Sequence, residues 1–147
     1  MKDITKFYRI YSMEGGEYLM KIDTKQKVLI AIYKEYQEDV PKMEENINAS
    51  KLGINVEAFM VALDKLTNEE LIRGVRFSRN GSKIFVAILD NMMITSKGID
   101  YVETKLGIEK TLDGVEKIKY MASKCVELGW CEAKDILSST FAKTIKG

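Results

Sequence analysis

The sequence predicts a mainly helical α+β protein. Three observations carry the prediction. Apolar residues recur at helical spacing in successive segments. The early helical segments are separated by little more than a glycine turn, the layout of a helix-turn-helix. The dipeptide Asn80-Gly81 then lies between two β-prone runs, a strong short signal for a hairpin. Hydrophobic residues make up 46% of the 147-residue chain, enough to build a core and to exclude disorder as the default.

The first helix is expected over 24–37. Val28, Leu29, Ile32, Tyr33 and Tyr36 share a face, and Asp23 with Gln26 has the spacing of a capping box. A short second helix, about 43–52, follows the break at Pro41 and carries Ile47 and Leu52. Gly53 closes it in a position that favours the left-handed conformation. Asn55 caps a third helix over 56–69, whose apolar side is Val56, Phe59, Met60, Leu63 and Leu66.

The hairpin register follows from the turn. With Asn80 and Gly81 as the two central residues of a type I′ turn, Arg79 faces Ser82. Phe77 then pairs with Ile84, Val75 with Val86, and Arg73 with Ile88, giving an apolar face toward the helices. The opposite face pairs Ser78 with Lys83, Arg76 with Phe85, and Gly74 with Ala87, and is basic with one exposed aromatic. Phe85 is expected under the C-terminal helices.

Thr95 caps a fourth helix, with Ile94 and Ile99 at the positions of a hydrophobic staple. Tyr101, Val102 and Leu106 continue its buried side to Gly107. Leu112, Val115, Ile118, Ala122, Cys125 and Val126 form the apolar stripe of a fifth long segment, ended by Gly129. Ala133, Ile136, Leu137, Phe141 and Ile145 form that of a sixth, and the two read as a helical hairpin with Trp130 at its corner.

Three helices, a hairpin wing and a helix opening Ile94-Thr95-Ser96-Lys97-Gly98 resemble winged-helix proteins. More narrowly, the chain resembles the YjcQ family of Gram-positive bacteria and their phages. The likeness rests on the first helix, the Lys51-Leu52-Gly53-Ile54 turn, the Leu71-Ile72-Arg73-Gly74-Val75 entry to the wing and the Thr95-Ser96-Lys97-Gly98 segment, and covers about 23–107. It implies a fold and a bacterial or prophage setting, and no activity. The division expected is an N-terminal extension over 1–19, a winged-helix domain over 20–107 and a C-terminal helical hairpin over 108–147, packed on that domain or on a second subunit.

The extension has two readings. Glu14-Gly15-Gly16-Glu17 can be encoded by a purine-rich string containing AGGAGGUGA, a ribosome-binding sequence just upstream of Met20, so Met20 is a candidate native start. Alternatively Phe7, Tyr8, Ile10, Tyr11, Tyr18 and Leu19 supply a strand or small hairpin.

Several function classes are disfavoured. The chain has no histidine, which removes the commonest general base and metal ligand. Cys125 and Cys131 form no disulfide framework or zinc array, and no glycine-rich phosphate loop is present. No cofactor and no enzymatic activity are expected. No apolar run approaches a membrane span and no signal peptide opens the chain, so the cytoplasm is the natural location.

Charge is nearly balanced, 23 Lys and Arg against 22 Asp and Glu. Its distribution is uneven: residues 71–107 hold Arg73, Arg76, Arg79, Lys83, Lys97 and Lys105 against only Asp90, Asp100 and Glu103. The third helix offers Glu57, Asp64, Glu69 and Glu70 beside Lys65, a poor surface for flanking phosphates. The candidate nucleic-acid contacts are therefore Arg76, Arg79 and Lys83 on the wing, toward double-stranded DNA. The competing expectation is a protein-interaction module with no nucleic-acid binding, whose partner is a basic protein or a second copy of the chain. A continuous positive face joining the wing to Lys25 or Lys27 favours the first reading.

Overall fold

The computed structural model describes residues 23–127. The extension over 1–19, the proposed start at Met20, and the expected last helix with Gly129, Trp130 and Cys131 lie outside the described residues, as do the side chains of Cys125 and Val126.

Helix α1, Thr24–Tyr36, begins with the expected capping box. Asp23 Oδ1 accepts the Gln26 backbone N–H at 2.8 Å, and the Gln26 side chain accepts the Asp23 N–H at 3.1 Å. The helix is not one-sided, however. Every residue from Val28 to Glu35 is buried, while Tyr36, expected on the buried face, is 39% exposed. A helix apolar around most of its circumference belongs at the centre of a domain, and α1 is packed by the helices that begin at Met43, Val56 and Ser96 and by a short strand.

The expected second helix divides into α2, Met43–Asn46, and α3, Ala49–Leu52. Asn48 separates them: its Oδ1 takes the Lys51 N–H at 2.9 Å and caps α3. Such local side-chain bonds compete with continuing the helix. The Glu35 carboxylate anchors this region to α1, accepting from Lys42 N at 2.9 Å and Asn46 Nδ2 at 3.0 Å. Asn55 caps α4, Val56–Asn68, through the Ala58 N–H. Phe59, Ala62, Leu63 and Leu66 face the core, and Val56 is exposed.

Strand β1, Ile72–Arg73, pairs with β4, Met93–Ile94; between them the wing is β2, Arg76–Asn80, and β3, Lys83–Ile88, both pairs antiparallel. Gly74 turns the chain from β1 into the wing at φ 86°, and a Cβ there would overlap the Asn91 carbonyl oxygen. No other residue fits that crossing of two backbones.

The wing register departs from the one the sequence suggested. The two loop residues are Gly81 and Ser82, with Asn80 facing Lys83. Gly81 has φ 67° and Ser82 does not have positive φ, the type II′ pattern, which needs glycine only at the first central position. Arg79 pairs with Ile84, Phe77 with Ala87 and Arg76 with Ile88; Arg73 pairs with Met93. A bulge opposite Ser78 and Arg79 leaves Phe85 as the extra residue. Moving the turn by one residue shifts the pairing by two and keeps every side chain on its face; the extra residue is what exchanges the faces of β3 beyond Phe85. Ile84 is buried and Ala87 turns inward, whereas Val86 and Ile88, expected inside, are exposed.

Thr95 caps α5, Ser96–Leu106, through the Gly98 N–H at 2.9 Å, and its hydroxyl donates to the Glu70 carbonyl at 2.8 Å. Gly98 lies so close to the Leu71 carbonyl that a Cβ would overlap it. Helix α6, Gly114–Glu127, the first of the expected C-terminal pair, packs on α5 with Ile118 and Met121 buried; Val115 is 42% exposed.

One polar cluster ties these helices together. The Glu103 carboxylate is 2% exposed. It accepts from the Tyr33 hydroxyl at 2.9 Å, from Lys117 Nζ at 2.8 Å and from Lys110 Nζ at 3.0 Å, so α1, α5, α6 and the α5–α6 connection meet on one side chain. Burial pushes the carboxyl pKa up, but the hydrogen bonds from Lys117, Lys110 and Tyr33 outweigh it, and the net value lies below the usual 4.5. Burial raises the Tyr33 hydroxyl far above its ordinary value, assisted by its bond to Glu103.

Because the folded pKa is lowered, the carboxylate stabilises fully above pH 4.5 and its contribution fades as pH falls through the lowered value. Glu103→Ala should cost roughly 3 kcal/mol at neutral pH, toward the low end for breaking a buried pair because exposed Lys110 regains water. Urea unfolding at neutral and progressively acidic pH checks this. The gap between wild type and Glu103→Gln should close as pH falls below 4.5.

Candidate nucleic-acid interface

The wing projects beyond the helices, and its outer side is formed by Arg76, Ser78 and Asn80 on β2 with Lys83, Val86 and Ile88 on β3. Phe85, Val86 and Ile88 are 53%, 48% and 38% exposed. The bulge displays Phe85 and Val86 consecutively, where regular alternation would have turned one of them inward.

The three basic residues singled out from the sequence are not presented as one free cluster. Arg79 lies on the inner side of β2 with Phe77, its guanidinium 4.8 Å from the Phe77 ring centre. It reaches α4, where Nη2 and Nη1 donate to the two Asp64 oxygens at 2.7 and 3.3 Å. That planar, two-point contact holds the guanidinium and raises its pKa further. Arg76 points outward, but its Nη2 donates to both oxygens of Asp90 at 3.1 and 3.0 Å. Lys83, beside the turn, has no ion pair among the described residues.

The positive surface is also interrupted beyond the wing. Lys25, one of the residues required to extend it, is joined to Glu69 at 2.8 Å. On α4, Glu57 and Lys65 are exposed and Asp64 is occupied by Arg79. At the wing base, Arg73 borders a shallow groove of about 460 Å³ floored by Met43, Met92 and Met93, with Glu44, Glu45 and Asp90 also around it. Among the described residues no three cysteines or carboxylates converge as a metal site. No helix among them is long and apolar enough to cross a membrane.

Sequence reasoning missed two features of this surface. Asp64 and Asp90 read as ordinary surface acids, although they hold the two wing arginines. Val86 and Ile88 read as core because an unbroken ladder carries no extra residue, and the bulge at Phe85 reverses the faces of β3 beyond it. Gly81-Ser82, a dipeptide that suits a type II′ turn, was a signal for the turn, but not for the bulge.

A family model described as YjcQ protein matches residues 26–121, from the first turn of α1 into α6. No curated protein and no solved structure matches the chain.

The observed register has a direct stability test. Ala87→Lys should destabilise the domain by about 2 kcal/mol or more, since it drives a charge toward the helices. Val86→Lys should change stability by less than about 1 kcal/mol. Chemical denaturation of the two variants checks the order; the reverse order would contradict the bulge and restore an unbroken ladder.

Proposed function

The chain belongs to the YjcQ family, and we propose that its winged helix works as a protein-interaction module, docking through the outer face of the wing and not reading DNA. The observation that carries this reading is the make-up of that face. Phe85, Val86 and Ile88 stand exposed in its middle, while both wing arginines are engaged by carboxylates. Adjacent exposed apolar side chains on a projecting element favour contact with protein, and a phosphate-binding surface instead needs cations available to displace counterions.

The acidic composition of α4 supports the same choice. A helix entering the major groove passes between two phosphate rows, and Glu57, Glu69 and Glu70 would each oppose them. Lys83 and Arg73, without ion pairs among the described residues, are what the DNA reading has in its favour. The proposed role is non-enzymatic. The resemblance brings a bacterial or prophage setting into the same proposal, and two cysteines without a disulfide framework suit the cytoplasm.

Fluorescence anisotropy with a random-sequence duplex at low salt separates the two readings. The interaction reading predicts no saturable binding by the wild-type chain. Binding that weakens with salt, and loses both strength and salt dependence when Arg76, Arg79 and Lys83 are changed together to Glu, would overturn it.

A further inference from the structure

We propose that the groove between the start of α1 and the outward side of α4 is the docking site of the chain's own segment 18–22. The wing plays no part in it.

The groove holds about 470 Å³ and is walled by residues 23–25 on one side and by α4 over 55–65 on the other. Ala58 and Ala62 form its floor, and Val61 beside them is 40% exposed. Each alanine stops at Cβ, so bulkier side chains laid across them fill the space between the helices.

What names the occupant is the place where the chain enters. Asp23, the N-cap of α1, itself lines the groove, so residue 22 lies one peptide unit away, about 3.8 Å between Cα atoms. Lys25 is tied to Glu69 at 2.8 Å, one turn beyond Lys65, which sets the entry at that end. From Lys65 back to Asn55, α4 rises about 15 Å, and five extended residues span about 16 Å. Those five are Tyr18, Leu19, Met20, Lys21 and Ile22, four of them apolar or aromatic. Extended backbone alternates its side chains, so Tyr18, Met20 and Ile22 share the side toward Ala58, Val61 and Ala62, and Lys21 turns to water.

Charge agrees with this occupant. Glu57 and Lys65 stand on the rim without ion pairs among the described residues, and they offset one another. A balanced rim over an alanine floor suits a segment with one charge in five residues and gives a strongly charged free ligand no net attraction. A segment joined directly to the groove also acts at an effective concentration on the order of millimolar, which favours it over a free peptide. Once docked, it covers Val61 and sets a length of chain between α4 and any duplex.

Limited trypsin digestion of the full chain, read by mass spectrometry at the bond after Lys21, tests the docking. Val61→Glu places a charge beneath the segment and should raise cleavage there about tenfold, with the circular dichroism spectrum unchanged. Met20→Asn alters the segment and leaves the groove intact; it should act likewise. Thr104→Glu, at an exposed position of α5, should leave the rate alone. Hydroxyl-radical footprinting reads the side chains directly: Tyr18 and Met20 should be labelled less in wild type than in Val61→Glu. Cleavage after Lys21 at one rate in wild type, Val61→Glu and Met20→Asn, equal acceleration by Thr104→Glu, or labelling of Tyr18 and Met20 that ignores Val61→Glu would each overturn the docking.

Discussion

Helix α1 is enclosed over two full turns, from Val28 to Glu35, and every neighbouring element has to accommodate that enclosure. A buried helix satisfies its own backbone, but the polar ends of its side chains still need partners. Tyr33 and Glu35 find theirs on opposite sides of the domain. Glu35 takes up the start of α2, and Tyr33 donates to Glu103 on α5. Glu103 in turn draws Lys110 and Lys117 over it and so fixes α6 against the rest. Removing the carboxylate would leave a tyrosine hydroxyl and a mostly buried lysine without their acceptor, a heavier loss than a surface ion pair of the same length.

The wing follows from how tightly that core closes beneath it. Gly98 allows α5 to start against the Leu71 carbonyl, and Gly74 allows the chain to cross the Asn91 backbone on its way out. The short β1–β4 pair is therefore set against α1, and the longer hairpin is displaced outward, held through Ile84, Phe77 and the Arg79–Asp64 pair. The same contact that secures the wing removes Arg79 from its outer surface. Its guanidinium is held instead against α4 by the two Asp64 oxygens.

What the sequence made legible was mostly local. Asp23, Asn55 and Thr95 cap helices because a short oxygen-bearing side chain can reach an N–H three residues on, and Gly53 and Gly107 stop helices in the left-handed conformation. Each signal is complete within four or five residues. The hairpin turn was also local but degenerate, since Asn80-Gly81-Ser82 accommodates two turn types one residue apart. The bulge at Phe85 has no such local signature, and it alone exchanges Val86 and Ile88 with Ala87, while Arg76, Ser78 and Lys83 keep the outer side the sequence assigns them. Glu103 was hidden differently. It occupies the i+4 position from Ile99 and lies three before Leu106, squarely in the apolar stripe of α5. A carboxylate there signals a buried partner, but the partners come from positions 33, 110 and 117 and are visible only once the chain is folded.

The enclosure of α1 is most directly tested by native-state hydrogen exchange. If α1 is the element on which the others depend, the amides of Ile32 to Glu35 should exchange only through global unfolding, with the free energy measured by denaturant, while amides of the wing exchange through smaller openings. Exchange of the α1 amides at a lower free energy than those of α4 would contradict the account.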